Sequence, residues 1–125
     1  MRRTSRTALL GGLFAVISTA CYAQTSMSSL PEVPLTKADY QDLAAAYQPL
    51  LNDDSLAIGT TREWANAQSG NHGTVQLVKR FEAEYQGSKL ACRRLRYHID
   101  IKDNADPYNL LLNRCKLADG SWKIF

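Results

Sequence analysis

The sequence lacks most of what catalytic and metal sites are built from. It has only two histidines, His72 and His98, and three cysteines, and neither His-x-x-x-His nor Cys-x-x-Cys spacing occurs. A glycine-rich phosphate loop, a nucleophile elbow and a pair of catalytic carboxylates are also absent. His98 and Asp100 share one strand face, as a base and its orienting partner would, but no nucleophile is placed near them. We therefore predict no enzyme activity, no metal and no cofactor.

Long apolar runs are missing too, apart from a short one near the N-terminus. Residues 1–23 carry three arginines, an apolar stretch too short to span a bilayer, and then small residues. This order is typical of a signal peptide cleaved after Ala23. The alternative is that Cys21, in STAC, is a lipidated N-terminal residue, although Ser18 stands where a lipoprotein signal usually has Leu, Val or Ile. We expect export to the periplasm or the outer membrane and cell surface, with membrane attachment only if Cys21 is lipidated.

The chain has no excess of positive or negative charge once residues 1–23 are removed. The formal net charge of +3 comes entirely from the three arginines of that segment, which leaves 12 basic and 12 acidic residues. A neutral mature protein gives no support to a nucleic-acid partner. We predict none.

Cysteine is scarce after the same cleavage, because only Cys92 and Cys115 remain. Two cysteines in an oxidising compartment allow a single pairing. We predict a Cys92–Cys115 disulfide, which would stabilise the fold by about 3 kcal/mol through the entropy of the denatured state.

The mature chain divides into a linker and one small domain. Residues 24–35 are polar, with two prolines and no periodicity, and are expected to form a flexible linker. Residues 36–48 are predicted to form a helix, because Thr36 and Asp39 have the spacing of a helix cap. We expect the regular helix to end before Pro49, followed by a looser turn through Leu51. Its apolar face comprises Tyr40, Leu43, Ala44, Tyr47 and Leu51.

Residues of about 56–125 are predicted to form a β-meander of four, or five, antiparallel strands, so the domain as a whole, 36–125, is α+β. Alternation places one apolar set on a single face of the strand before the QGS turn, namely Val75, Leu77, Phe81, Ala83 and Tyr85. The following strand presents Leu95, Tyr97, Ile99 and Ile101 on one face and Cys92, Arg94, Arg96 and His98 on the other. We expect the helix to cover one sheet face, and a partner or the 53–66 segment to cover part of the other.

Turn positions predict the register of the last strands. A loop at 102–105 would place Cys92 opposite Cys115, at a separation that a disulfide tolerates. A two-residue turn at 119–120 of type I′ would place Cys115 opposite Ile124. Trp122 would then lie on the cysteine face as a structural aromatic that shields the bridge.

The segment EWANAQSGNHGTVQL has two interpretations. In the first, Trp64 is a structural anchor of a hairpin whose turn contains Ser69-Gly70 and Gly73. In the second, Trp64 is exposed on a ligand-binding loop. The candidate binding surface combines this loop with the exposed face of the strand at 90–101 and comprises Trp64, Asn66, Gly70, His72, Gly73, Arg94 and Arg96.

The three arginines at 93, 94 and 96 also have two interpretations. Together they would bind an anionic headgroup or an acidic glycan. Strand alternation divides them between two faces, however, and nearby acids are expected to pair with them as surface ion pairs. Those acids are Glu82, Glu84 and Asp100.

The order of several motifs resembles a known family. The motifs are Trp64-x-Asn66, Ser69-Gly70, Gly73 before a strand, Cys92-Arg93 at the start of the next strand, and Cys115 followed by DGSW. Over about residues 56–124 this order resembles the C-terminal domain of the rickettsial-type surface antigens, small envelope proteins of Gram-negative bacteria. The chain differs from many members in having a helix where they carry a glycine-zipper segment.

The resemblance implies an envelope protein with a non-enzymatic role. We therefore expect a structural or protein-interaction module of the cell envelope, whose partner is an envelope protein or an outer-membrane component. The alternative is a small periplasmic inhibitor that inserts a loop into a lysozyme or a protease. An inhibitor of a basic lysozyme should have an acidic inserting loop, and GNHG is not acidic.

Overall fold

A computed structural model of the chain describes residues 33–125. The predicted signal peptide at 1–23, with Cys21, and most of the predicted linker lie outside the described residues. The domain contains one helix and five strands: α1 (Lys37–Asn52), β1 (Thr61–Ala65), β2 (His72–Tyr85), β3 (Ser88–Asp100), β4 (Tyr108–Lys116) and β5 (Trp122–Ile124). The strands form one antiparallel sheet in the order β1-β2-β3-β4-β5. The predicted α+β fold, a helix followed by a β-meander with one disulfide, is confirmed.

Helix α1 begins as predicted and ends later than predicted. Thr36 caps it: the Thr36 hydroxyl accepts from the Asp39 amide, and the Asp39 carboxylate accepts from the Thr36 amide. The predicted end at residue 48 is wrong, because Pro49 lies inside the helix. A proline there removes one backbone hydrogen bond. Burial of Leu50 and Leu51, each 1 % exposed or less, offsets that loss by about 1.5 to 3 kcal/mol per side chain.

The predicted register between β3 and β4 is confirmed. Cys92 lies opposite Cys115, and the two form a disulfide with Cα atoms 4.0 Å apart. The pairs Leu95–Leu112 and Ile99–Tyr108 follow the same register. A cross-strand disulfide at this position ties β3 to β4 next to the closing hairpin.

A β-bulge at Val78 divides β2 into two parts. The alternation of side chains between the two sheet faces reverses from one part to the other. The register shifts between Leu77 and Lys79, so residues after Val78 point to the face opposite to that expected from simple alternation. Val75 and Leu77 are buried under the helix. Phe81 instead pairs with Cys92, on the other face. The prediction that Phe81, Ala83 and Tyr85 share a face with Val75 and Leu77 is therefore wrong.

The closing turn is one residue longer than predicted. The Gly120 amide donates to the Leu117 carbonyl, and the Leu117 amide donates to the Ser121 carbonyl, which encloses a three-residue loop at 118–120. Gly120 has a φ of 91°, whereas Asp119 is not among the residues with positive φ, so the turn is not type I′. Cys115 consequently faces Lys123, not Ile124.

The longer turn places Trp122 on the face opposite the disulfide. Trp122 pairs with Lys116, and its indole Nε1 donates to Asn52 Oδ1 at the end of α1 over 3.0 Å. The prediction that Trp122 shields the bridge is wrong, although it does pack against the hydrophobic core. In the cross-strand row of the bridge, Phe81 and Lys123 take the flanking positions.

The two faces of the sheet differ in what lies against them. The covered face packs against α1 and includes Trp64, Val75, Leu77, Leu95, Tyr97 and Ile99. The loop after the helix covers the same face, because its carbonyls and Asp54 contact Arg80 and Arg93. We predicted that either a partner or the 53–66 segment covers part of the opposite face, which we call the open face. The 53–66 segment does not cover it. No helix in residues 33–125 is long and apolar enough to cross a membrane.

Candidate functional site

The predicted binding loop is largely built into the fold. Trp64 is only 5 % exposed and packs in the hydrophobic core. Gly73, directly opposite it, is also buried, with the Trp64 ring against its backbone. Trp64 and Gly73 therefore offer no accessible surface, and the prediction that they form part of one is wrong. The other interpretation, an anchoring tryptophan, is confirmed.

Asp39 holds this loop against the start of the helix. Its Oδ1 accepts from Asn66 Nδ2 and Ser69 Oγ over 2.8 and 2.6 Å. Its Oδ2 accepts from Asn71 Nδ2 over 2.7 Å and from the Thr36 amide over 2.9 Å. The side chain is fully buried. A single carboxylate thus links the helix cap to the three polar residues of the loop.

The ionisation of Asp39 follows from these contacts. Burial opposes the charged form, but hydrogen bonds from Ser69, Thr36, Asn71 and Asn66 outweigh it and hold the pKa of Asp39 well below its ordinary value of 3.8. Asp39 is therefore a carboxylate throughout the neutral range. Its role is structural, because every one of these partners belongs to the fold.

The loop is also fixed at its far side. Asn71 Oδ1 accepts from the Lys102 amide over 2.8 Å, which ties the loop to the connection between β3 and β4. Gly70 has a φ of 80°, and a Cβ atom there would lie 2.8 Å from the Lys102 side chain. The loop is therefore held by Asp39 on one side and by the Lys102 amide on the other, and the segment from Trp64 to Gly73 is a structural corner of the domain.

The remaining predicted site residues lie on the open face. His72, Arg94 and Arg96 point there, together with two further cations, Lys79 and Lys123. His72 lies opposite Asp100, Arg96 opposite Gln76, Arg94 opposite Lys79, and Lys123 opposite Cys115. Leu111, in the row of Arg96, is 51 % exposed. The structure thus separates the candidate binding surface into a structural corner and an accessible sheet face.

The cations of the open face contact neutral groups. Arg94 Nε donates to Asn113 Oδ1 and Arg96 Nη1 to Gln76 Oε1, each over 2.9 Å. Arg94 and Lys79 also lie over the Phe81 ring, at 5.7 and 5.3 Å from its centroid. In residues 33–125, neither arginine has a carboxylate within 4 Å. The predicted pairing with Glu82, Glu84 and Asp100 is wrong. The bulge turns the two glutamates to the covered face, and Asp100 contacts His98 and His72 instead.

Lys123, near the C-terminus, also lies over aromatic rings of the open face. Lys123 lies 5.8 Å from the centroid of Tyr85 and 5.7 Å from that of Phe125. The two rings meet edge to face, with centroids 4.9 Å apart. The open face therefore presents four side-chain cations, Lys79, Arg94, Arg96 and Lys123, braced by aromatic rings and side-chain amides.

His98, Asp100 and His72 form an exposed polar cluster at one end of the open face. Asp100 Oδ2 lies 3.4 Å from His98 Nε2 and 3.8 Å from His72 Nδ1. The other ring nitrogen of His98 lies 2.8 Å from Asn109 Oδ1. Within the described part of the chain, no three His, Cys, Asp or Glu residues are arranged to hold a metal ion. The predicted sharing of a face by His98 and Asp100 is confirmed.

Three arginines on the covered face form a group that we did not predict from the sequence. Arg80, Arg93 and Arg114 lie side by side on β2, β3 and β4, and we call them the arginine row. Arg93 and Arg114 are buried. The predicted register already implied that Arg93 lies opposite Arg114, because those residues adjoin the paired cysteines. Arg80 joins them only through the bulge, which has no clear sequence signal.

Comparison of the chain with protein-family models, with curated proteins and with solved structures finds no match.

Proposed function

We propose that this chain is an exported cell-envelope protein of the surface-antigen type, and that its α+β domain acts as a structural or protein-interaction module. The signal-peptide pattern at 1–23 and the motif order from Trp64 to DGSW support this proposal. A disulfide between the only two cysteines after that segment is consistent with an oxidising compartment, where such bonds persist.

The open face is the surface through which the domain binds its partner. One observation carries this proposal: the face holds four cations, of which Arg94 and Arg96 have only neutral partners in residues 33–125. Surface cations without local counter-ions steer association with surfaces of opposite charge. The partner is thus an envelope protein, or an outer-membrane component, that presents an acidic patch.

The inhibitor hypothesis receives less support from the same geometry. An inhibitor of this kind needs a loop that can insert into an enzyme cleft. The segment from Asn66 to Asn71 is instead held by Asp39 and by the Lys102 amide. This segment contains no charged residue, whereas the open face presents four cations, so the interaction module is the better-supported proposal.

Reversing the charge of the open face tests this function. The purified full chain, with its disulfide intact, serves as bait for envelope extract, beside the double variant Arg94→Glu/Arg96→Glu. We expect specific capture of a partner to fall by about tenfold in the variant, because like charges repel across the interface. The captured amount is measured by quantitative mass spectrometry.

A matched control changes the net charge by the same amount at positions away from the open face. Lys37 and Arg62 are both exposed and lie on α1 and on the edge strand β1. The double variant Lys37→Glu/Arg62→Glu should capture the partner as well as the unmodified chain does. Equal capture by the open-face variant, or a loss only in the control, would contradict the proposal.

A further inference from the structure

The arginine row is an unusual concentration of charge between the sheet and the helix. Arg80 pairs with Arg93, and Arg93 pairs with Arg114, so the three occupy one cross-strand row on neighbouring strands. Directly opposed residues in antiparallel strands have Cβ atoms about 5 Å apart. Three guanidinium groups are therefore brought together on the covered face, close to the end of α1.

Arg114 is the most deeply placed of the three. It is 2 % exposed, its Nε donates to the Tyr97 hydroxyl over 2.9 Å, and its guanidinium lies 4.2 Å from the centroid of the Tyr47 ring. Burial raises the pKa of Tyr97 above 10.0, although Arg114 acts in the opposite direction, so the hydroxyl stays neutral. Arg114 Nη2 is buried without a hydrogen-bond partner. The charge of Arg114 consequently has no counter-ion in residues 33–125.

Arg93 lies between Arg80 and Arg114 in the row and is only partly paired. Its Nη1 donates to the Cys92 carbonyl over 2.9 Å, and its Nη2 donates to Asp54 Oδ1 over 2.8 Å. Its Nε is buried and has no partner. The side chain of Asp54 is 80 % exposed, so this carboxylate lies at the solvent-facing rim of the row.

Arg80 completes the row from the side of β2. Its Nη2 donates to the Leu56 carbonyl over 2.6 Å and contacts the Asp53 carbonyl at 3.4 Å. Its Nε is also buried without a partner. Each of the three neighbouring arginines thus has one buried N–H group that no residue of the described domain satisfies.

This pattern is costly unless something else accepts those hydrogen bonds. A buried donor without a partner destabilises the folded chain, and the loss is larger when the group is charged. Within residues 33–125, the only carboxylate within 4 Å of the three arginines is that of the exposed Asp54. The donors of the row therefore match an anion that offers several acceptor oxygens at once.

We propose that the arginine row binds one phosphate group, which displaces Asp54 from Arg93. The carboxylate of Asp54 reaches only Nη2 of Arg93. A phosphate oxygen pair would take Nε and Nη2 together, in the bidentate geometry that arginine favours. The remaining oxygens accept from Arg114 Nη2 and Arg80 Nε. Asp54 is then the intramolecular counter-ion that holds the site when no phosphate is present.

The site is separate from the open face and does not depend on the proposed function. The bulge at Val78 and strand alternation place Arg80 and Arg93 on one side of the sheet and Arg94 on the other. Loss of phosphate binding and loss of partner capture are therefore measured with different variants.

The test is the dependence of melting temperature on inorganic phosphate, compared with sodium chloride at equal ionic strength. The full chain with its disulfide intact should melt higher in phosphate, because a ligand that binds the folded state stabilises it. Asp54→Asn removes the competing carboxylate from an exposed position, so it should lower the half-saturating phosphate concentration by about tenfold. Equal melting temperatures in phosphate and chloride, for both proteins, would overturn the proposal.

Two further variants locate the binding. Arg93→Gln should abolish the phosphate effect, whereas Arg94→Gln on the open face should leave it unchanged. If Arg93→Gln does not fold, the Asp54→Asn comparison decides alone. A phosphate effect that persists in folded Arg93→Gln, or disappears in Arg94→Gln, would contradict a site in the row.

The source of the phosphate group is distinguished by parallel titrations. Three probes share a phosphate group and increase in size: inorganic phosphate, glycerol phosphate and short-chain phosphatidic acid. A free-phosphate site should bind the first most tightly, and a lipid-headgroup site the last. Protection by none of the three would overturn the proposal.

Discussion

Replacing Asp39 with alanine is expected to lower the free energy of unfolding by about 4 kcal/mol. The carboxylate accepts four hydrogen bonds at a fully buried position, three of them from loop side chains. Without it, the amides of Asn66 and Asn71 are left inside the domain with no acceptor, and the helix loses its capping box. Chemical denaturation, followed by far-ultraviolet circular dichroism, measures the loss.

The pH dependence of stability separates the charge of Asp39 from its size. Because its pKa is lower in the folded chain than the ordinary 3.8, its contribution is fully present above that value and is lost as pH falls below it. Asp39→Ala should therefore show a smaller loss of stability on acidification than the unmodified chain. Asp42→Ala, three residues along the same helix, is the control and should behave like the unmodified chain. Equal acid sensitivity in all three proteins would contradict this role of Asp39.

Replacing Gly73 with alanine is expected to cost about 3 kcal/mol of stability. A Cβ atom there would overlap the carbonyl oxygen of His98 and would lie 3.0 Å from the Trp64 indole nitrogen and 3.1 Å from Ile99 Cα. Two of these neighbours are backbone atoms of β3, which cannot rotate away. Thermal and denaturant unfolding would report the loss, and a fall in the burial of Trp64 would appear in its fluorescence.

Gly87→Ala is the matched control for Gly73. A Cβ atom at Gly87 meets nothing within 4 Å, so the substitution carries only the strain of a positive φ, 81°, or about 1 kcal/mol. If Gly73→Ala were no more destabilising than Gly87→Ala, the close approach of Trp64, Gly73 and β3 would be wrong, and an exposed binding loop would again fit the data.

The disulfide and its register could be predicted because two independent constraints agreed. The length of the loop between β3 and β4 and the need for two cysteines to meet both require Cys92 opposite Cys115. The start of the helix was equally predictable from Thr36 and Asp39, since a capping box depends on local sequence alone.

The errors arose where tertiary contacts override local rules. Pro49 remains in the helix because Leu50 and Leu51 bury their side chains against the sheet. A bulge at Val78 reverses the faces of the rest of β2. The Asp-Gly pair near the C-terminus suggested a two-residue turn, but the loop includes Ala118, and one extra residue transfers Trp122 to the other face.

The roles of Asp39 and of the arginine row were only partly accessible from the sequence. Asp39 is in phase with Leu43, Ala46 and Leu50, so its burial could have been inferred from helical periodicity. Its partners could not, because Asn66, Ser69 and Asn71 approach it only through the folded corner. The pairing of Arg93 with Arg114 followed from the disulfide register, whereas the bulge that adds Arg80 did not.

Site-specific photo-cross-linking in cells that express the chain tests the proposed interaction module most directly. A photoreactive amino acid at Leu111, which is exposed on the open face, is compared with one at Ala45, which is exposed on α1. We expect a discrete adduct with an envelope component from Leu111, none from Ala45, and loss of the Leu111 adduct in Arg94→Glu/Arg96→Glu. An adduct formed only from Ala45, or one from Leu111 that persists after charge reversal, would contradict the proposal.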